Sequence, residues 1–160
     1  MLSPVISALN QHLTGLDIGL PIAWENITPP DVSGSWLAVF FVPADTVGST
    51  LGDTGLDQTT GFFQIDINAP IGGGWAELCK HSDYIQRSFR IGKQLIYDGH
   101  SVYITSSSRT GARVESGWYR QTVTINWLSY NRRDGLPGEF YQPAVTIDDT
   151  ANSLLPDIFN

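Results

Sequence analysis

The sequence predicts an α+β domain: a mixed or antiparallel sheet of about four to five strands with two helices packed on one face. Three observations support this class. The chain has 160 residues, 41% of them hydrophobic, which suits one domain with a substantial core. Several segments alternate apolar and polar residues, as strands with one buried face do. Two other segments place apolar residues three and four positions apart, which is typical of an amphipathic helix.

The first helix is predicted to begin at Ser3, because Ser3-Pro4 offers a hydroxyl cap followed by the helical position that suits proline. Gly15 and Gly19 end this segment. The apolar residues between these limits follow the helical spacing and are Ile6, Leu9, Leu13 and Leu16. Residues 20–26 then form an extended segment that Pro29-Pro30 breaks.

Residues 36–42, WLAVFFV, are apolar without a break and predict a central strand that is covered on both faces. Residues 43–60 are rich in Gly, Thr and Asp, and we expect a long loop there. Loops of this length inside compact domains are uncommon, and most of them are functional or are ordered by a partner.

The segment from Gly61 to Phe89 joins a strand to a helix. Phe63, Ile65 and Ile67 alternate with polar residues, which predicts a strand. A proline and three glycines at 70–74 end this strand. The helix that follows is predicted to bury one apolar stripe, formed by Trp75, Leu78, Cys79, Ile85 and Phe89.

The remaining strands are predicted between residues 94 and 130. Residues 94–97 and 101–105 flank Asp98-Gly99, which is close to the dipeptide signal for a tight hairpin. Residues 106–113 read as a second loop, and residues 117–127 as the longest strand. Beyond Tyr130 the periodicity is lost. We therefore predict a domain over residues 1–130 and an irregular C-terminal extension over 131–160, which packs on its own domain or docks on another subunit.

Composition argues against several classes of function. The net charge of -7 disfavours a surface that grips nucleic acid. No segment approaches the roughly 20 apolar residues that cross a bilayer, so we expect no membrane partner and a chain that is intracellular when made. The one cysteine, Cys79, allows no internal disulfide. We expect no cofactor or metal, because His12, His81 and His100 follow no metal-ligand spacing and the triple glycine lacks the other residues of a P-loop.

One motif suggests catalysis. Asp53-Thr54-Gly55 resembles the active-site triplet of retroviral-type aspartic proteases, in which a dimer brings two aspartates together to activate water. In that family the aspartate ends an apolar strand, whereas residues 47–52 here are a polar loop. We therefore predict that the protein is not an enzyme, with the protease as the alternative.

Four phrases in the chain, taken in their order over about residues 1–130, resemble the tail terminator proteins of long-tailed bacteriophages, the family of the lambda tail terminator. None of them is a catalytic signature. The phrases are LPIAWEN at 20–26, Pro29-Pro30 with Ser35-Trp36-Leu37, GFFQIDI at 61–67 with Ala69-Pro70 and its glycine turn, and Gly117-Trp118-Tyr119 leading into Val123-Thr124-Ile125.

The resemblance implies an α+β subunit that assembles into a ring of six on the last ring of the tail tube. Such a ring stops tube polymerisation and joins the tail to the head. Its partners would be other copies of itself, the tail tube protein and a neck or head-completion protein, and DNA would only pass through the lumen. It would be assembled in the host cytoplasm and lie in the virion, at the head-proximal end of the tail. A neck or head-completion protein of similar fold is the alternative.

The expected subunit and tube contacts lie in the two predicted loops and at the end of the chain. The acidic residues of the first loop and the basic residues of the second would allow an Asp–Arg contact between neighbours, although exposed pairs contribute only about 0 to 1 kcal/mol. These candidate interface residues are Asp45, Asp53, Asp57, Arg109, Arg113 and Phe159.

Overall fold

The structure, a computed structural model, describes residues 2–133. The α+β class is confirmed, but the sheet has seven strands, more than the four to five predicted. Short strands at the edges account for the difference, because two- and three-residue strands leave no periodic pattern in a sequence. In chain order the elements are α1 (Ser3–Gly15), β1 (Ile22–Ala23), β2 (Trp36–Gly48), β3 (Leu56–Ala69), α2 (Ala76–Ser88), β4 (Gln94–Tyr97), β5 (His100–Arg109), β6 (Arg113–Glu115) and β7 (Trp118–Arg132).

The sheet is mixed, with strand order β1-β2-β3-β7-β5-β4 and with β6 paired to β7. Within residues 2–133, β1 and β2 are the one parallel pair, and the other strand pairs are antiparallel. β3 and β7 form its centre, and they pair from Leu56 opposite Arg132 to Ala69 opposite Tyr119. β7 thus continues past residue 130, where the sequence suggested a domain boundary.

Both helices contribute to one hydrophobic core on one face of the sheet. Phe63, Ile65 and Ile67 point into this core, so the predicted alternation is confirmed. The opposite face carries a polar row at the centre of the sheet. There Thr122 Oγ1 donates a 2.7 Å hydrogen bond to Asp66, which lies directly opposite it on β3.

The two helices were located correctly, but two details of their ends were wrong. Ser3 is the first helical residue of α1, and the cap position is Leu2, which makes no side-chain cap hydrogen bond. In α2 the buried stripe holds for Leu78, Ile85 and Phe89. Trp75, however, is 67% exposed. It is the residue before the helix, so the helical period does not determine the direction of its side chain.

The predicted loop over 43–60 is wrong, because most of it is strand. β2 continues to Gly48 and β3 begins at Leu56, so only residues 49–55 lie outside strands. Threonine on both arms and Val47 on the first favour extended backbone, and the glycines and aspartates among them concealed this in the sequence. We call residues 43–60 the ribbon and residues 49–55 the hairpin tip.

Two further strand predictions need correction. β2 is not central, because its outer neighbour is the two-residue strand β1. The second predicted loop is mostly strand, since β5 runs to Arg109 and β6 begins at Arg113. The tight hairpin at Asp98-Gly99 is confirmed. Both residues have positive φ, 47° and 75°, as a type I′ turn requires.

The base of the ribbon lies at Gly61, and β3 stays paired with β7 along the ribbon as far as Leu56. The register of β2 shifts between Pro43 and Asp45, and Gly61 is opposite Pro43 on one side and Trp127 on the other. A Cβ at position 61 would lie 2.5 Å from Cζ2 of Trp127 and 2.5 Å from the carbonyl oxygen of Val42. Only glycine therefore allows this close approach of three strands at the base of the ribbon.

Candidate interaction site on the hairpin tip and the second helix

A single arginine braces the hairpin tip. Arg133 donates hydrogen bonds from Nε and Nη2 to Asp57 Oδ1, at 2.9 and 2.5 Å. It also donates to the carbonyl oxygens of Gly52 and, at 3.2 Å, Thr50. The backbone N–H of Arg133 donates to the carbonyl oxygen of Gly55 at 2.7 Å. These bonds hold a solvent-exposed turn in one shape.

The charges in this turn reinforce that arrangement. Hydrogen bonds from Arg133 lower the pKa of Asp57, and the same contact raises the pKa of Arg133. Both groups therefore stay charged through the neutral range and into mild acid. Thr50 adds a neutral brace, because its Oγ1 accepts the N–H of Leu56 at 2.6 Å.

Most other side chains of the ribbon are exposed or partly exposed, although Thr59 is buried. Leu51 is fully exposed, with a relative accessibility of 101%. Asp53 in the tip and Asp45 lower on the ribbon are exposed as well. Asp45 also accepts the N–H of Thr46 at 3.0 Å. The tip thus presents one apolar side chain next to negative charge.

A groove of about 650 Å³ lies along the outer side of α2. Its apolar lining includes Ile18, Trp75, Cys79 and Tyr84. The hydroxyl of Tyr84 donates to the carbonyl oxygen of Leu16 at 3.0 Å, which ties α2 to the segment after α1. Cys79 is partly exposed here, so its prediction as a buried core residue is wrong.

The lining of this groove contains both basic and acidic residues. Lys80 and Arg87 line it, and Arg90 lies two residues after the end of α2. Asp83 also lines the groove, but it forms a 2.6 Å ion pair with Arg109. The lining is completed by the acidic residue Asp17, by Ala76 and by His81.

The candidate interface residues predicted from the sequence fall into two groups. Asp45, Asp53 and Asp57 share the ribbon. Arg109 and Asp57 both pair with residues of β7, and the partner of Arg109 is Val123. At a rise of ~3.3 Å per residue, these two positions on β7 are about 25 Å apart. The structure therefore does not bring Arg109 to the acidic ribbon within one subunit.

Arg113, at the start of β6, belongs to this second group. It donates to Glu115 at 2.7 Å and to Thr110 Oγ1 at 3.2 Å. Phe159 lies outside the described residues. Within one subunit, Arg109 and Arg113 thus already have carboxylate partners on their own chain.

The motif that suggested a protease lies in the hairpin tip. Asp53 and Thr54 are exposed, and no apolar strand leads directly into them. Among residues 2–133, no group of three or more His, Cys, Asp or Glu side chains is arranged to hold a metal ion. In the same part of the chain, none of the helices is long and apolar enough to cross a membrane.

Two residues of this site were missed from the sequence, Arg133 and Leu51. Arg133 is separated by 76 positions from Asp57, so no local spacing signals their contact. Leu51 stood in what looked like a polar loop. A single leucine followed by glycine and aspartate was the one available sign of an apolar group at a turn.

The exposed tip and the groove are surfaces suited to contact with other proteins. Residues 4–127 match the model of a family described as phage tail terminator protein, so the chain belongs to this family. The resemblance noted from the sequence is thereby confirmed. The protein is a component of the phage tail, in a family of structural proteins that is not known for enzymes.

The comparison with solved structures supports the fold. Ten chains match, and one of them superimposes with a TM-score of 0.65 at 18% identity. That alignment covers 89% of this chain and 99% of the other. At this identity the likeness shows a shared fold alone. The comparison with curated proteins found no match.

Proposed function

We propose that this protein terminates the phage tail by capping the tube as a ring of six subunits. The observation that carries the proposal is the family match over residues 4–127. Bound to the last ring of the tube, the cap occupies the surface to which the next tube ring would add. Its other face does not match a tube subunit, so polymerisation stops. That face then joins the tail to the head through a neck or head-completion protein.

The distribution of charge supports a ring built from head-to-tail contacts. A closed ring needs two different, complementary surfaces on each subunit. The ribbon carries Asp45 and Asp53 at one end of the sheet, and α2 carries Lys80 and Arg87 toward the other. These opposite charges would meet when neighbours are arranged head to tail.

The net charge of -7 also suits a lumen through which DNA must pass. An acidic wall repels phosphate and disfavours binding, whereas a basic wall would retain DNA. The proposed place of the protein is the head-proximal end of the tail, after assembly in the host cytoplasm.

The test is to assemble tails with and without this protein and to measure them by electron microscopy. With the protein present, we expect tubes of uniform length that end in a ring and accept heads. Without it, we expect overlong tubes that carry no head. Tubes of the same length in both preparations would refute capping. Tails of normal length that lack only heads would favour the alternative, a neck or head-completion protein.

A further inference from the structure

The hairpin tip has the properties of a docking element. An exposed leucine alone is ordinary, but Leu51 is fully exposed at the end of a long ribbon. Arg133 contacts the turn on both sides of Leu51, through the carbonyl oxygens of Thr50 and Gly52. A turn held in one shape loses little conformational entropy when it binds, which favours association.

The groove on α2 has complementary properties. It offers the apolar and aromatic surface of Trp75 and Tyr84, and both side chains are substantially exposed. Lys80 and Arg87 are the cations in its lining. The exposed carboxylate closest in sequence to Leu51 is Asp53. Of the two acidic residues in the lining, Asp83 is already paired with Arg109. An apolar side chain next to a carboxylate therefore corresponds to an apolar groove that contains two cations.

The tip cannot reach the groove of its own chain. β3 begins at Leu56, directly after the tip. The helix α2 lies toward the other end of β3. This follows because Ser82 of α2 donates a 2.6 Å hydrogen bond to Gln121, and Gln121 is opposite Ile67 of β3. From Leu56 to Ile67 is about 35 Å at the ~3.3 Å rise of a strand. A tip seated in a groove must therefore belong to another copy.

We propose that the hairpin tip of one subunit docks in the α2 groove of the neighbouring subunit in the ring. Leu51 packs against Trp75 and Tyr84 of that neighbour, and Asp53 faces Lys80 and Arg87. Because tip and groove lie at different ends of the sheet, the contact is head to tail and repeats from subunit to subunit. This inference rests on the proposed ring, for which it names the subunit contact.

The native cysteine makes the contact testable in the full chain. Cys79 lines the groove and is the only cysteine, so a thiol introduced at the tip has one native partner. Thr50→Cys, Leu51→Cys and Asp53→Cys are prepared separately and oxidised with copper phenanthroline. We expect at least one of them to form a covalent ladder of subunits, in which mass spectrometry finds the tip peptide linked to the peptide containing Cys79.

Two controls accompany this experiment. Adding Cys79→Ser to Leu51→Cys should abolish the ladder. Val114→Cys places a thiol at a position that is also exposed, 64% by relative accessibility, but on β6. We expect no link from it to Cys79. Native mass spectrometry of the unmodified protein, alone and on tube ends, reports independently whether a ring forms.

The outcomes separate this inference from the proposed function. A ring without a link to Cys79 from any of the three tip positions overturns the inference and leaves the capping function standing. Links only between two tips overturn it as well. So does a Cys79 that a maleimide cannot label in the monomer, because the groove would then be closed to a neighbour's tip. The absence of any ring, with no link, overturns both.

A charge exchange adds a second readout. Asp53→Lys is expected to weaken ring assembly about two- to fivefold, the range of an exposed ion pair. Lys80→Asp in the same chain should restore assembly, whereas Arg113→Asp should not. Leu51→Asp is expected to weaken assembly more than about tenfold, as the loss of a buried anchor does. Equal assembly by Leu51→Asp and the unmodified protein would overturn the inference.

Discussion

Replacing Gly61 by alanine tests how the ribbon is joined to the sheet. The added Cβ would lie 2.5 Å from a ring carbon of Trp127 and 2.5 Å from the carbonyl oxygen of Val42, and 3.0 Å from Cα of Pro43. Ordinary contacts of a Cβ are 3.4–4 Å, so two neighbours must move by about 1 Å. One of them is backbone of the paired strand, and Trp127 is packed in the core with 1% exposure.

The expected cost follows from this crowding. Overpacking in a well-packed site costs about 1–3 kcal/mol, and the movement of paired backbone puts Gly61→Ala at the upper end. The entropic gain of a Gly→Ala change, about 0.4–1 kcal/mol, does not offset it. A loss of about 3 kcal/mol in the free energy of unfolding corresponds to a Tm lower by roughly 10 °C for a domain of this size.

Thermal and urea unfolding followed by tryptophan fluorescence measure this change. Gly34→Ala is the matched control, because a Cβ there meets no atom within 4 Å and its φ is not positive. We expect its Tm to stay within about 2 °C of the unmodified protein. If Gly61→Ala also stays within that margin, the reasoning on close approach at the base of the ribbon is refuted.

Three further changes are predicted. Ser82→Ala should lower the free energy of unfolding by about 1–3 kcal/mol in urea titrations, because it leaves the buried amide oxygen of Gln121 without its 2.6 Å hydrogen bond. The pKa of His12 is lowered from 6.5, chiefly by burial. The unfolded chain therefore binds the proton more readily than the folded chain does, and the free energy of unfolding falls as the pH drops below about 6.5. His12→Gln should flatten this dependence in urea midpoints at about pH 7.5 and about pH 5.5. Arg133→Ala should accelerate amide exchange in the hairpin tip with little change in the core, as measured by hydrogen-exchange mass spectrometry, whereas Arg132→Ala should leave both unchanged.

Each of these three predictions would be contradicted by a specific result. Ser88→Ala is the control, because the hydroxyl of Ser88 makes only an exposed hydrogen bond, to the carbonyl oxygen of Tyr84. A Ser82→Ala protein as stable as this control would contradict the role assigned to the buried hydrogen bond. An unchanged pH dependence in His12→Gln would mean that another group titrates. Equal exchange rates in the tips of Arg133→Ala and Arg132→Ala would show that the turn keeps its shape without the arginine.

Elements with a local signal were predictable. Alternation at Phe63, Ile65 and Ile67 located the strand, because side chains of a strand point to its two faces in turn. Asp98-Gly99 located a hairpin for an equally local reason, since both residues tolerate positive φ. The family resemblance also came from short phrases, and the match over residues 4–127 confirms it.

The ribbon shows where local signals fail. Its composition is that of a loop, and β2 and β3 extend into it through cross-strand pairs such as Thr46 opposite Thr59. β3 gains a second row of partners from β7, whose residues lie far away in the chain. Such long-range pairing overrides intrinsic propensity, and one sequence read along its length does not display it.

By itself, then, the sequence determined the α+β class, both helices, the strands that contain Phe63 and Val123, and membership of the tail terminator family, because each depends on short-range spacing or on neighbouring residues. Only the tertiary structure decided that Arg133 braces the turn around Leu51, and that Trp75 lies in an open groove on α2. Both depend on contacts between segments that are far apart in the sequence. Such contacts produce no periodic pattern of residues along the chain.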